Sequence, residues 1–256
     1  MPADVARHAA GRIRSGPVAR CGTLPYFGPV VRTLSVTTIL PPRLIYASGM
    51  EFTEVIKRRK MVRAFTGEPL APGTADRLLK AAERAPSAGF SQGYAFLVLE
   101  GAEQCAPLWK ILADAVDAGG GTKDENPAEV PALSTAQLVI VPLACKDIYL
   151  DRYAQPDKGL TDRDESQHPV PYWYVDTGFT ALLILLAVTN EGLGASFFGF
   201  DPRTLPGFRA QYGVPAEWMP IGAIAIGHPD PGNDPIPPAR ASERKPLAEL
   251  VHRGHW

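Results

Sequence analysis

Two kinds of residue in this sequence have types and spacings suited to chemistry, and the first is cationic. In "RRKMVRAFTGEPL", residues 58 to 70, Arg58, Arg59, Lys60 and Arg63 fall within six positions, and Phe65 and Pro69 close the segment. Cations at a helix C-terminus complement its dipole by about 0.3–1 kcal/mol each, which accounts for Arg58 and Lys60. Arg59 and Arg63 are four apart, and Arg63 lies past the point where the helical pattern stops. Two guanidiniums converging there make a fork suited to a phosphate. A second cationic group, Arg240, Arg244 and Lys245 in "ARASERKPL", lies near the C-terminus, where a solvated tail is the plain reading.

The second kind is small residues next to a strand. In "APSAGFSQGYAF", residues 85 to 96, Pro86 ends a helix and Ser87, Ala88 and Gly89 lead onward. Small side chains let backbone N–H and C=O groups come close to a flat ring, although an ordinary helix-to-strand turn has the same composition. In "EGLGASFFGF", residues 191 to 200, Gly192 and Gly194 suit the end of a long helix, and Phe197, Phe198 and Phe200 suit a core. Its spacing, G-x-G-x-x-x-x-G after a helix, is not a dinucleotide fingerprint, and the chain holds no GxxxxGK[ST] phosphate loop. No Ser/His/Asp or Cys/His arrangement stands out: His168, His228, His252 and His255 are scattered and read as structural or surface residues.

The elements that must position these groups follow from periodicity. Residues 51 to 60 read as a short helix with Phe52, Val55 and Ile56 on one face. Residues 74 to 85 read as a helix capped by Thr74, with Leu78, Leu79, Ala82 and Ala85 helically spaced. Core strands are expected at 94–100, at 136–145, where Pro142 suggests an edge or a bulge, and at 221–228. Helices are expected at 103–118, 173–190 and 202–211. "GGGTKDENP" reads as a flexible loop, residues 146 to 172 as a long irregular segment of functional use, and the Pro-rich C-terminus as an extended tail. Helices interleave with strands over uneven connections. That implies a sheet with helices packed around it, α/β or α+β, rather than a regular doubly wound fold.

Composition narrows the class. The chain has 256 residues, a formal net charge of -1 and 45% hydrophobic residues, so a proper core is available and nothing points to nucleic acid or a membrane surface. The apolar run "FTALLILLAV" has ten residues, short of the roughly 20 needed to cross a bilayer, and reads as a fully buried core helix. Cys21, Cys105 and Cys145 have no metal-ligand spacing, and a sparse odd set suits a reducing, cytoplasmic setting. Residues 1–49 carry six Arg, no Lys and a single acid, Asp4. That composition resembles a transit peptide, but Met50 opens "MEFTEVIKRRK". The expected organisation is an over-extended or disordered N-terminal extension, 1–49, followed by one domain, 50–256.

Each stretch alone is ambiguous, but their succession is specific. A helix ending R-x-x-x-R-x-F, an A-P-S-x-x-x-x-Q turn before a strand, a long helix ending G-L-G, an I-x-I-G strand and a late R-x-P-L together resemble the nitroreductase family of FMN-dependent oxidoreductases, over about residues 50 to 256. The resemblance implies an α+β fold, a mostly antiparallel central sheet surrounded by helices, in an intertwined homodimer with FMN at the subunit interface. It implies that the stretch Arg59, Lys60, Met61 and Arg63 binds FMN, with Arg59 and Arg63 on the phosphate together with Arg244 and Arg240. Pro86, Ser87 and Ala88 would touch the isoalloxazine with Gln92 nearby, and Phe198 and Gly199 would bring a backbone N–H toward flavin N5. NAD(P)H would be the co-substrate and a nitroaromatic or quinone the acceptor, in ping-pong turnover through N5, with no catalytic side chain and no metal. Phe90, Tyr153, Tyr172 and Trp173, with Tyr149, are the candidate acceptor pocket, and packing the 146–172 segment down is their other use.

The sequence departs from the family pattern at Met61, where a small hydroxyl residue is frequent, and at Phe90, where many members have Asn. Gln92, Gly93 and Tyr94 replace the usual Q-P-W, and Phe198 replaces the Glu that some members carry. These losses leave open a protein that stores FMN or senses its redox state. The residue types Tyr153, Lys158 and Glu165 leave open a flavin-fragmenting or dehalogenating relative.

Overall fold

The computed structural model describes residues 49–117, 129–158, 162–235 and 244–256. The expected N-terminal extension up to residue 48, the loop "GGGTKDENP" and Arg240 lie outside the described residues.

Five strands form one sheet: β1 (Tyr94–Glu100), β2 (Leu138–Cys145), β3 (Gly194–Phe198), β4 (Trp218–Pro220) and β5 (Ala223–Gly227). Their order is β1-β2-β5-β3, with β4 beside β2, and every pairing between these strands is antiparallel. The helices are α1 (Phe52–Arg58), α2 (Thr74–Ala82), α3 (Gly101–Asp117), α4 (Glu129–Leu133), α5 (Lys146–Tyr153), α6 (Tyr172–Asn190), α7 (Leu205–Tyr212) and α8 (Leu247–Leu250). The fold is therefore α+β, as expected: an open antiparallel sheet surrounded by helices.

The sheet is buried on both faces, which is why β2 and β5 read as continuous apolar runs. Val139, Val141 and Leu143 of β2 and Ala223 and Ala225 of β5 face Cys105, Leu108, Trp109 and Leu112 of α3 and Phe208 of α7. Leu138, Ile140, Ile224 and Ile226 face Leu78 and Ala82 of α2 and Ala181, Ile184, Leu185 and Val188 of α6. This two-residue alternation on strands and the helical period on α2 and α6 are one physical solution, with each buried Leu or Ile contributing about 1.5–3 kcal/mol.

Several local expectations change. α1 ends at Arg58, with Val55 buried but Phe52 and Ile56 68% and 50% exposed, so the three do not share one buried face. Thr74 does not cap α2: Gly73, left-handed, holds that position, and the buried Thr74 hydroxyl donates to Ala71 O at 2.7 Å. Pro142 is not on an edge strand. β2 pairs with β5 over Leu138–Ile140 and with β4 over Leu143–Cys145. Pro142 falls at the gap between the two, where its carbonyl accepts from Ile221 N at 3.1 Å. Its missing N–H falls where the neighbouring strand is interrupted.

Gly192, with φ 75°, follows the end of α6, whereas Gly194 opens β3, a strand for which the sequence raised no expectation. The 146–172 segment is not wholly irregular, because α5 occupies its first third. Only Tyr149 and Leu150 of α5 are buried among charged neighbours, so no apolar stripe advertises the helix.

α6 is the one helix among the described residues long and apolar enough to cross a bilayer. One side of it packs on the sheet, so it serves as a core helix. It is not buried all round: Val175, Phe179 and Leu182 are 36%, 42% and 48% exposed, at a spacing that puts them on one face. α1 packs against this helix and adds the exposed Phe52 and Ile56.

Candidate functional site

The basic stretch lies along the outer edge of the sheet. Past the end of α1 the chain turns extended. Met61 then pairs in parallel with Ala195 of β3, and Val62 N donates to Ala195 O at 2.8 Å. Met61 Sδ accepts from Phe197 N at 3.5 Å. The side chain at the position where a hydroxyl is frequent is thus spent on β3. Residues 63 to 66 run beside the segment that follows β5. Asp230 N donates to Ala64 O, Thr66 N donates to His228 O, and Arg63 N donates to Asp234 Oδ1 at 2.8 Å. The start of the C-terminal arm therefore lies against Arg63.

Arg59 sits at the C-cap of α1, half-buried, and its guanidinium has no hydrogen-bond or ion-pair partner among the described residues. Lys60 is exposed, Arg63 is half-buried, and Arg244 is exposed ahead of α8. A guanidinium unpaired among the described residues, held at the end of a helix on a stretch fixed to a sheet edge, has the chemistry to accept an anion.

Strand alternation divides the two phenylalanines of β3. Phe197 packs on the α2–α6 side, whereas Phe198 packs on the α3 side with its ring 5.9 Å from that of Trp109. Phe198 therefore presents backbone, not its ring, at the end of the strand. Gly199, next in the chain, is exposed, and a Cβ built there meets nothing within 4 Å. That open backbone suits a flat ligand.

The turn before β1 is built differently. Ala88 N donates to Asp176 Oδ2 at 2.7 Å, and Tyr149 OH donates to the same oxygen at 2.8 Å. Asp176 of α6 is 3% exposed and Tyr149 of α5 is 1% exposed. Burial, together with the Asp176 carboxylate, pushes the Tyr149 phenol well above its usual range, so it stays a proton donor. Burial and the same carboxylate also raise Tyr94.

Within the turn, Ser87 Oγ accepts from Gln92 N at 3.0 Å and Phe90 N donates to Ser87 O at 2.9 Å. Gly89, Phe90 and Gln92 are all left-handed, with φ of 61°, 54° and 52°. For Phe90 and Gln92 that conformation costs about 1–2 kcal/mol each, so surrounding contacts must hold it. Arg152 of α5 contributes one, donating to Gly89 O at 3.0 Å. Gly93 is required for another reason: a Cβ there would lie 2.5 Å from the Tyr149 ring and 2.9 Å from Cys145 O.

The aromatic residues proposed for an acceptor pocket separate. Trp173 is 4% exposed and, like Tyr149, packs inside a small core with Ala88 and Ile221, so neither is open to a ligand. Tyr153 is half-buried between Gly89 and His168, 5.1 Å from the latter ring. Phe90 and Tyr172 remain exposed at 75% and 42%, and Pro86 and Gln92 are exposed as well.

Sequence reasoning missed Asp176, Tyr149 as its donor, and Asp234. Asp176 did leave a signal: it is the only acid in the apolar helix "YWYVDTGFTALLILLAVTN".

The model of the nitroreductase family matches residues 56–228, more than half of the chain. The chain belongs to the nitroreductase family. That makes it an oxidoreductase, as the succession of motifs implied. A protein of Archaeoglobus fulgidus, provisionally named an NADH dehydrogenase/NAD(P)H nitroreductase, is 25% identical over 208 residues, covering 80% of this nitroreductase-family chain and 99% of the relative. A provisionally named nitroreductase of Desulfovibrio desulfuricans, solved in complex with FMN, superposes with a TM-score of 0.54 at 22% identity over 82% of this chain and 99% of that one. Nitroreductase CinD of Lactococcus lactis, solved with nicotinic acid, gives 0.57 at 17% identity over 76% and 98%. At these identities the two structures are alike in fold.

Proposed function

We propose that this chain is an FMN-dependent oxidoreductase that takes reducing equivalents from NAD(P)H and delivers them to a flat, electron-poor acceptor such as a nitroaromatic or a quinone. The observation that carries this reading is the Arg59 guanidinium at the end of α1, partnerless among the described residues, on a stretch tied to β3 whose far end opens at Gly199. An FMN phosphate, with close to two negative charges, suits Arg59 and Arg63, with Arg244 and Arg240 of the C-terminal arm as further cations. Pro86, Ser87, Ala88 and Gln92 would border the ring, and the open backbone at Phe198–Gly199 would let it approach closely. Bound FMN supplies the two-electron chemistry. The chain's own work is to hold the phosphate, present backbone N–H groups to the ring, and keep Phe90 and Tyr172 at the open side, where an aromatic acceptor can stack.

The assembly we infer is a homodimer. The exposed apolar residues Phe52 and Ile56 of α1 and Val175, Phe179 and Leu182 of α6 support it, since such a strip is costly to leave in water. The buried free thiols Cys105 and Cys145 accord with a reducing, cytoplasmic location.

A second reading, storage or redox sensing of FMN with little turnover, is favoured by Met61, whose side chain is committed to Phe197 N. An anaerobic visible spectrum of the purified protein, before and after NADH or NADPH, separates the two. Flavin bands that bleach on addition support the oxidoreductase and name its donor. Bands that persist support storage or sensing. A protein that is colourless and cannot be reconstituted with FMN overturns both.

A further inference from the structure

We propose that Asp176 is a positioning residue: its buried carboxylate, shared between Ala88 N–H and Tyr149 O–H, locks the Ser87–Gln92 turn, with left-handed Gly89, Phe90 and Gln92, in the conformation that borders the flavin. This rests on the FMN reading above.

Asp176 is placed where a carboxylate is expensive. It stands on the most apolar long helix among the described residues, 3% exposed, beside Tyr149 and one turn from Trp173, both buried. No Lys, Arg or His forms an ion pair with it among the described residues. A buried carboxylate without a cation is tolerated only where donors are aimed at it. Two are, at 2.7 Å and 2.8 Å, and both meet the same oxygen. One donor is the amide of Ala88, the residue just before left-handed Gly89 and Phe90.

The arrangement has a direction. Tyr149 is fixed by its own burial and by the close approach of Gly93, so the carboxylate is held from the α5 side. The turn is the softer partner, because its other restraints are local hydrogen bonds and Arg152. A rigid acceptor therefore imposes its position on Ala88, not the reverse. Small displacements of such a turn matter, because hydrogen bonds to a bound ring depend steeply on distance. With the Met61 side chain committed to Phe197 N and Phe90 apolar, polar contacts to the ring fall to the backbone of the turn.

The test compares Asp176→Ala and Asp176→Asn in the full chain. Amide hydrogen exchange is followed in the flavin-free protein, and FMN affinity by quenching of flavin fluorescence. Wild-type FMN binding is measured first. If wild type binds none, the flavin reading fails and this proposal falls with it. If wild type binds, Asp176→Ala is expected to speed exchange at residues 88 to 92 and to weaken FMN about tenfold or more, the scale of one hydrogen bond to a charged group. Exchange in β2 should be unchanged. Asp176→Asn keeps an acceptor oxygen in place and should restore both readouts to within about threefold of wild type. If Asp176→Ala does not fold, Asp176→Ser, too short to reach Ala88, replaces it with the same expectation. Unchanged exchange in the turn overturns the proposal. So does acceleration of the turn and β2 together, which marks a merely structural role, and so does a loosened turn with undiminished FMN affinity.

Discussion

Asp176 and Ala88 are 88 positions apart in the chain, yet the carboxylate of one accepts from the amide of the other at 2.7 Å. That contact ties the long apolar helix α6 to the turn that precedes β1. The basic stretch is tied to the opposite end of the sheet by Met61 and Val62 against Ala195. Both sides of the candidate site are thus anchored on one rigid sheet, and loops contribute the contacting groups.

Arg59→Ala and Arg63→Ala should each weaken FMN about 10- to 100-fold, because a charge-assisted hydrogen bond contributes about 1.5–3 kcal/mol. Riboflavin, which lacks the phosphate, is the control. Titration of both flavins should show the loss for FMN alone. An equal loss for both would mean that the arginines support the fold and not the phosphate.

Gly93→Ala should destabilise the protein by about 1–3 kcal/mol, since the new methyl falls 2.5 Å from the Tyr149 ring. A thermal melt should drop by several degrees, at about 2–4 °C per kcal/mol for a chain of this size. Pairing it with a smaller residue at position 149 should recover part of the loss. A melt equal to wild type would show that the turn has room the structure does not display.

Phe179→Asp or Leu182→Asp should shift the protein from dimer to monomer in light scattering. Each removes an apolar side chain whose burial contributes about 1.5–3 kcal/mol and puts a charge in its place. A dimer that survives both substitutions would move the interface elsewhere. If FMN lies at the subunit boundary, flavin should be lost together with the dimer.

Cys105 should make the protein less stable in alkali. Burial lifts its thiol to about 11, against a smaller opposing effect of the Val139 backbone. The folded value lies above the unfolded one, so its stabilising contribution is full below the unfolded value near 9 and is lost as pH rises toward 11. The loss amounts to about 2–3 kcal/mol at most. Urea midpoints at neutral and alkaline pH should show it, and Cys105→Ala should flatten that slope. An identical slope in the variant would assign the effect to other groups.

Much of the fold was legible because the relevant information is local. β1 begins and ends where "YAFLVLE" does, and α6 starts one residue before the expected helix. β3 was not legible: five residues starting four positions after the end of a helix, with glycine at the first, carry no alternation long enough to see. α5 was hidden by its charges, and β4 by its three-residue length. In the candidate site, the basic residues and the small-residue turn announced themselves by type. Phe198 did not announce which way its ring turns, nor Trp173 that it is buried.

The sequence by itself determined the family, the apolar strands and helices, and the residue types that suit a phosphate and a flat ring, because composition and short-range periodicity are properties of neighbouring positions. Only the tertiary structure decided that Met61 is committed to β3, that Asp234 holds the amide of Arg63, and that Asp176 reaches Ala88. Those contacts join residues 88 to 171 positions apart, and they exist only once both faces of the sheet are covered. A hydrogen bond needs its partners within about 3 Å, and no local pattern in a chain encodes that distance.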